Sequence, residues 1–133
     1  MADLKLTGIS GTTYEFWLAP VNPKWLVAPG LYVFVGPIGK VLYIGETGNF
    51  ATRQPGPAHE KWAFASLHGS IAIFSVITSG TEATRKAAER DLIAAYDPPC
   101  NIQNPFRRAL SLRREDQLWG RSGLAPLTPR KKL

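Results

Sequence analysis

Two tyrosines are the side chains whose setting in this sequence most suggests chemistry. Tyr32 and Tyr43 lie in the stretch GLYVFVGPIGKVLYIG, which runs from Gly30 to Gly45. A free phenol has a pKa of about 10, so it accepts a proton near neutral pH only where a nearby cation lowers that value. Two phenols and two glycines at one end of a hairpin indicate a site, although a cross-strand aromatic pair is the alternative.

The residues around the tyrosines predict two paired strands and a third strand further along the chain. Residues 31–35 and 41–44 are rich in β-branched and aromatic residues, as strands are. Between them, residues 36–39 (GPIG) have the composition of a tight turn, which predicts an antiparallel hairpin. Residues 71–77 form a nearly continuous apolar run of strand length, which predicts a buried third strand.

Short helices are predicted between the hairpin and the third strand. Thr47 or Asn49 is suited to cap a helix that carries Phe50 and Arg53. Residues 58–67 predict a second short helix.

A longer helix is predicted after the third strand. Ser79 followed by Glu82 has the spacing of a capping box, and the helix should run to about Tyr96, ahead of two prolines. Glu89 lies beside the apolar stripe of this helix, where an ionised carboxylate needs a partner. The partner is either Arg85 or Lys86, one turn earlier, or a metal ion.

These elements predict an α+β fold: a small central antiparallel β-sheet of three core strands flanked by helices. Residues 4–9 and 12–18 alternate apolar and polar residues, which predicts an extra N-terminal β-hairpin. We divide the chain into residues 1–26, the N-terminal hairpin and connector, 27–103, the core, and 104–133, a basic C-terminal helix or tail.

Composition restricts the class of protein. The chain has 133 residues, the size of one domain, and its single cysteine, Cys100, excludes a disulfide framework and a CxxC zinc site. No apolar run approaches the length of a membrane span, and the N-terminus lacks the apolar region of a signal peptide. We therefore expect a cytoplasmic protein with no membrane partner and no disulfide-linked partner.

The positive charge is concentrated in one part of the chain. The formal net charge is +6, and residues 1–102 contribute none of it because their acidic and basic residues are equal in number. A basic C-terminal segment on a neutral body indicates a polyanionic partner, with a solubilising tail as the alternative. The predicted nucleic-acid contacts are Arg107, Arg108, Arg113 and Arg114.

The pattern Gly30-Leu31-Tyr32, ten residues, then Tyr43-Ile44-Gly45 resembles the signature of the GIY-YIG nuclease superfamily, with leucine in place of the usual isoleucine. Three further residues match in order: an arginine on the first helix, a glutamate in the helix after the third strand, and an asparagine after a Pro-Pro turn. They are Arg53, Glu89 and Asn101. The match covers residues 27–102. The chain is similar to the small stand-alone members of the superfamily in bacteria and phages.

One position departs from the family pattern. Family members often carry His or Tyr one helical turn after the arginine, and here that place is taken by Pro57. The nearest candidate is His59, which takes the role if the insert at residues 55–57 turns it into the site. His68 is expected in a loop.

The resemblance implies a metal-dependent endonuclease that hydrolyses DNA phosphodiester bonds with Mg²⁺ or Mn²⁺. It implies that Glu89 holds the metal, that Arg53 binds the phosphate, and that Tyr32 is the base or positions the water, supported by Tyr43. Asn101 would orient a tyrosine or the backbone. The glycines of the signature, Gly30 and Gly45, would keep the floor of the site open to substrate.

Size favours single-stranded or branched DNA as the substrate, because the chain has no separate DNA-binding domain. Two other readings stay open. One is a catalytically inactive nucleic-acid-binding module, and the other is a protein-interaction domain with a solubilising tail.

Overall fold

A computed structural model of the protein describes residues 1–20, 23–69 and 71–101. Its strands form one antiparallel sheet in the order β1-β2-β5-β3-β4. The strands are β1 (Leu4–Thr7), β2 (Thr13–Leu18), β3 (Gly30–Val35), β4 (Val41–Thr47) and β5 (Ala72–Ile77). The helices are α1 (Phe50–Arg53), α2 (Trp62–Ser66) and α3 (Glu82–Tyr96), with 3₁₀ turns at Pro37–Gly39 and Pro99–Asn101.

The predicted α+β fold class is confirmed, and the sheet is larger than the three predicted core strands. β2 pairs with β5 through Trp17 opposite Ser75 and Leu18 opposite Phe74, so the N-terminal hairpin extends the central sheet to five strands. The sequence analysis treated the N-terminal hairpin as separate from the three core strands, because pairing between distant strands leaves no local signal. The division at residues 26 and 103 stays a prediction, and residues 104–133 lie outside the described part of the chain.

β3 organises the core because it is buried on both faces. Its residues 31, 33 and 35 pack with Ile44, and with Leu92 of α3, on one face. Tyr32 and Phe34 point to the other face, where they pack with Phe50 of α1, Ala65 of α2 and Cys100. The period-two alternation of a strand therefore places the tyrosine on the face covered by the short helices.

The predicted hairpin forms, and its register does not place the two tyrosines directly opposite each other. Tyr32 lies opposite Gly45, and Tyr43 lies opposite Phe34, so the two tyrosines are diagonal neighbours. Their ring centroids are 6.0 Å apart.

Two helix starts differ from the sequence predictions, those of α2 and α3, while the cap of α1 is one of the two residues proposed. Asn49, the second of the two proposed residues, caps α1 by accepting a hydrogen bond from the backbone N–H of Ala51. α2 is only five residues long, because residues 57–61 form turns. The capping box at Ser79 is wrong: Thr81 caps α3, and its hydroxyl accepts from the N–H of Thr84. The predicted end of α3 at Tyr96 is confirmed.

The N-terminal hairpin is also tied to α3 by polar contacts. Asp91 accepts hydrogen bonds from the backbone N–H and hydroxyl of Ser10, at 2.9 and 2.7 Å, and from the hydroxyl of Tyr14 at 2.8 Å. Burial and the Asp91 carboxylate raise the pKa of Tyr14 to about 12. No helix within the described ranges has the length and apolarity to cross a membrane.

Candidate active site

The hydroxyl of Tyr32 joins three of the predicted residues. It lies 2.7 Å from Nε2 of His59 and accepts a hydrogen bond from Nε of Arg53 at 3.2 Å. Tyr32 itself is 1% exposed. Burial raises its pKa, and the charge of Arg53 opposes that rise. A phenol that receives two N–H groups has its own proton free for another acceptor.

The tautomer of His59 follows from its second nitrogen. The backbone N–H of Lys61 donates to Nδ1 at 3.0 Å, so the ring proton is assigned to Nε2, where it is donated to Tyr32. His59 is buried, and burial together with the charge of Arg53 lowers its pKa to about 4. The imidazole is therefore neutral at physiological pH. The turns at residues 55–61 bring His59 to the tyrosine despite its two-residue offset from the family position.

α1 delivers Arg53 to the same point. The cap at Asn49 fixes the start of the helix, and Gln54 ends it with a left-handed backbone, φ 49°. The guanidinium then uses both terminal nitrogens on Glu60: Nη1 donates to Oε1 at 2.7 Å, and Nη2 donates to Oε2 at 2.9 Å. This hydrogen bonding raises the pKa of Arg53 and lowers the pKa of Glu60 to about 2. Sequence analysis missed Glu60, which has no signal beyond its place beside His59.

Tyr43 lies on the outer side of this group, on the edge strand β4. It is partly exposed, and its ring packs 5.1 Å from that of His59, centroid to centroid. Burial raises the pKa of Tyr43, and the charge of Arg53 and a hydrogen bond from Tyr32 oppose that rise. The negative charge of Glu89 is a further cause that raises it, which places Glu89 within electrostatic range of this phenol.

The free edge of β4 is bound by Asn101. Its Oδ1 accepts from the backbone N–H of Ile44 at 2.9 Å, and its Nδ2 donates to the backbone oxygen of Ile44 at 2.8 Å. These two bonds satisfy an edge strand's outward-facing groups and hold the backbone between Tyr43 and Gly45. Asn101 therefore orients backbone, one of its two predicted roles, and among the described residues it forms no hydrogen bond with a tyrosine hydroxyl.

Glu89 is not paired with the helix cations considered for it. Arg85 Nε and Lys86 Nζ both bind Glu46 of β4, each at 3.1 Å from a different carboxylate oxygen. Within residues 1–20, 23–69 and 71–101, Glu89 forms no ion pair shorter than 4.0 Å. Glu46 follows Gly45 directly, and only the strand register shows that it faces α3.

The carboxylate of Glu89 lies at the β4 edge. Burial raises the pKa of Glu89 and the charge of the Glu46 carboxylate adds to that rise, while the charge of Lys86 and the backbone of Glu46 oppose it. Glu89 is therefore within electrostatic range of both Glu46 and Tyr43, two residues of the edge strand β4.

The two signature glycines are explained by packing. A Cβ on Gly45 would overlap the ring of Tyr32, and a Cβ on Gly30 would overlap the carbonyl oxygen of Val76 and the ring of Phe50. Both glycines are buried. The two glycines therefore make room for the protein's own atoms, and their role in keeping the floor of the site open to substrate stays a prediction.

An open groove of about 360 Å³ lies beside α1, and none of the predicted catalytic side chains lines it. The groove is therefore separate from the candidate site, which reaches solvent at the partly exposed Tyr43 on the edge strand β4. Arg107, Arg108, Arg113 and Arg114, the predicted nucleic-acid contacts, lie outside the described residues.

No protein-family model matches the chain, and no curated protein matches it. Among solved structures, the chain is similar to the GIY-YIG N-terminal endonuclease domain of UvrC from Thermotoga maritima with magnesium bound as its catalytic divalent cation. The identity is 23% and the TM-score 0.47, over 59% of this chain and 88% of that one. Two point mutants of that domain, each bound to the catalytic divalent cation, give 23% and 21% identity with the same TM-score and coverage. The names of these structures include GIY-YIG, and it is the signature of the GIY-YIG superfamily that this sequence resembles.

Proposed function

We propose that this chain is a metal-dependent endonuclease of the GIY-YIG type that hydrolyses phosphodiester bonds in DNA. The observation that carries the proposal is the shared hydroxyl of Tyr32, on which Arg53 and His59 converge from different turns of the chain. A packing role for the tyrosine requires neither a buried neutral imidazole nor a guanidinium at that oxygen. Phosphodiester hydrolysis uses a proton acceptor beside a fixed cation.

We assign the metal to Glu89. No group of three or more His, Cys, Asp or Glu side chains within the described ranges could enclose a metal ion. That donor set does not fit zinc, which takes three or four protein ligands. It fits Mg²⁺ or Mn²⁺, since Mg²⁺ keeps most of its waters and is held by one or two carboxylates plus substrate phosphate. The cation would supply Lewis acidity at the phosphate and a more acidic bound water.

The side chain of Arg53 binds the scissile phosphate in this proposal. Its guanidinium is planar and permanently charged, so it matches two phosphate oxygens and stabilises the charge that develops on them. Its Nε stays on Tyr32, which couples the phosphate to the phenol.

Tyr43, on the substrate side, would take the proton of the attacking water as a phenolate: a divalent cation at Glu89 would lower the pKa of the phenol, whose own proton would first pass to solvent. Tyr43 is the more exposed of the two phenols, and the charge of Glu89 contributes to its raised pKa. Tyr32 stands behind it, held by His59 and Arg53, and its free proton stabilises an anion on Tyr43. This order reverses the emphasis of the family reading, in which Tyr32 is the base.

Single-stranded or branched DNA is the proposed substrate, on the argument from size. The surface position of the site agrees with this choice, because a polymer can cross an exposed sheet edge without entering a cavity. One ground for an inactive binding module was the departure of His59 from the family position. The contact of His59 with Tyr32 weakens that ground.

Cleavage of labelled single-stranded, double-stranded and branched DNA with Mg²⁺, Mn²⁺ or EDTA tests the proposal. Products that require the metal support the nuclease. Retention of DNA without products in every condition contradicts it and identifies a binding module, and the absence of any salt-dependent binding identifies a protein-interaction domain.

A further inference from the structure

The end of the Arg53 side chain that would receive a phosphate is occupied by a carboxylate. Nη1 and Nη2 each donate to a different oxygen of Glu60, at 2.7 and 2.9 Å, while Nε donates to Tyr32. The Nε of the guanidinium is therefore held by Tyr32, and its two terminal nitrogens are occupied by Glu60.

A carboxylate and a phosphodiester present the same features to these two nitrogens. Each offers two oxygens that share one negative charge, and each accepts two parallel N–H bonds from an arginine fork. The two ligands cannot use Nη1 and Nη2 at the same time in that geometry. A phosphate that binds Arg53 bidentately must take the position of the Glu60 carboxylate.

We propose that Glu60 is a specificity-determining residue of this site: its carboxylate stands where the scissile phosphate binds, and the substrate must displace it from Arg53. The inference rests on the proposed function. It goes beyond that function because it gives Arg53 a carboxylate that competes with weakly bound anions before substrate binds.

Displacement is feasible because the two partners differ in how they are held. The Glu60 side chain is 61% exposed and lies in the turns between α1 and α2, so it can swing into water. The Arg53 side chain is 31% exposed and keeps its bond to the buried Tyr32. An ion pair with one exposed partner is weak, which permits exchange for a better ligand.

Glu60 would instead be a positioning residue if its only task were to hold the guanidinium in place. The two roles predict opposite results for Glu60→Gln. Loss of a competitor raises affinity and lowers KM at constant kcat, whereas loss of a support lowers kcat and leaves affinity unchanged or weaker.

The decisive measurement is the affinity of the full chain for a fluorescein-labelled single-stranded oligodeoxynucleotide in EDTA, by anisotropy. We expect Glu60→Gln to bind about two- to fivefold tighter than wild type, the range for an exposed ion pair, with KM lowered by the same factor. Glu15→Gln is the matched control: it removes the same charge from an exposed pair with Lys5 on β1 and β2. In an Arg53→Ala background, Glu60→Gln should bring no gain.

Unchanged or weaker binding by Glu60→Gln overturns the inference, as does an equal gain in Glu15→Gln or a gain that survives Arg53→Ala. Glu60→Ala repeats the test without an amide that could still accept from Arg53, and melting temperatures confirm folding. The proposed function is judged separately by metal-dependent cleavage with the wild type. The binding comparison in EDTA decides the role of Glu60 whether or not that cleavage occurs.

Discussion

Glu46 binds Arg85 at 3.1 Å, and this ion pair determines the state of Glu89. Arg85 lies one helical turn before Glu89 on α3 and would be its natural partner. Both side chains of the Glu46–Arg85 pair are nearly buried, 12% and 11% exposed. Lys86 binds the second oxygen of the same carboxylate. β4 therefore binds the two α3 cations that lie one turn before Glu89, and the charge of Lys86 acts on Glu89 only at longer range. In the proposed function, this leaves the Glu89 carboxylate to the metal ion.

Glu46→Gln should raise the Mg²⁺ concentration needed for half-maximal cleavage several-fold, because Arg85 and Lys86 become free to neutralise Glu89. The maximal rate at saturating metal should change little. Metal titration of the cleavage rate measures this. Glu82→Gln removes the exposed partner of Lys86, at 3.7 Å, and should leave the titration as in the wild type. An unchanged or lower metal requirement in Glu46→Gln would show that Glu46 does not protect Glu89.

Removal of the Tyr32 hydroxyl and removal of the Tyr43 hydroxyl should have different effects on stability. Tyr43→Phe and Tyr32→Phe should each slow cleavage about a hundredfold or more, since proton transfer by a positioned group contributes about 10²–10⁴. Tyr32→Phe should also reduce the free energy of unfolding, by about 1–3 kcal/mol and by more than Tyr43→Phe does, because it leaves the N–H groups of Arg53 and His59 without an acceptor. Urea unfolding and single-turnover rates provide both values.

Tyr14→Phe is the control for the tyrosine pair. It removes a hydroxyl that donates to Asp91 at 2.8 Å, far along the chain from the site, and should cost stability without slowing cleavage. Normal rates in Tyr43→Phe would remove Tyr43 from proton transfer.

Stability should fall with pH in a window that His59 determines. Its pKa is about 4 in the folded protein and about 6.5 for a free imidazole, so the folded state disfavours protonation and the full contribution of His59 to stability is present well above pH 6.5. As the pH falls from 7 to 5, the unfolded chain binds the extra proton, and the free energy of unfolding should drop by about 2 kcal/mol.

His59→Gln keeps a side-chain N–H for Tyr32 and does not titrate, so its stability should be nearly flat from pH 7 to 5. The pKa of Glu60 is about 2, which places its contribution below this window. Chemical denaturation at each pH measures the difference. A wild-type curve that is equally flat would show that His59 is not buried as a neutral ring.

The C-terminal arginines yield a prediction from sequence alone. Deleting residues 107–133 should weaken DNA binding and flatten its dependence on salt, because fewer phosphates are neutralised by Lys and Arg. Binding isotherms at several salt concentrations test this. An unchanged slope would make Arg107, Arg108, Arg113 and Arg114 bystanders.

Sequence reasoning succeeded where the signal is local. The hairpin around Tyr32, the helix with Arg53 and the end of α3 at Tyr96 follow from strand-forming residues, a cap and a proline pair. The choice of cap failed at Ser79 because the helix begins two residues later than predicted, where the Thr81 hydroxyl accepts from the N–H of Thr84.

What the sequence could not supply are contacts between distant residues. Glu46 and Glu60 carry no motif, and only the fold shows that one faces α3 and the other closes on Arg53. The glycines were given a substrate role because a missing Cβ does not say which atoms fill the space. His59 could not be placed by spacing, since the turns at residues 55–61 decide its direction.

The central proposal is that Glu89 holds the divalent metal ion of a nuclease site, and Glu89→Gln tests it most directly. The control is Glu82→Gln, two helical turns earlier on α3, where the side chain is 69% exposed. We expect Glu89→Gln to lose cleavage of labelled DNA about a thousandfold or more in Mg²⁺, with its melting temperature and DNA binding in EDTA retained. Glu82→Gln should cleave as the wild type does. Cleavage by Glu89→Gln within about tenfold of the wild type would contradict the assignment and with it the proposed mechanism.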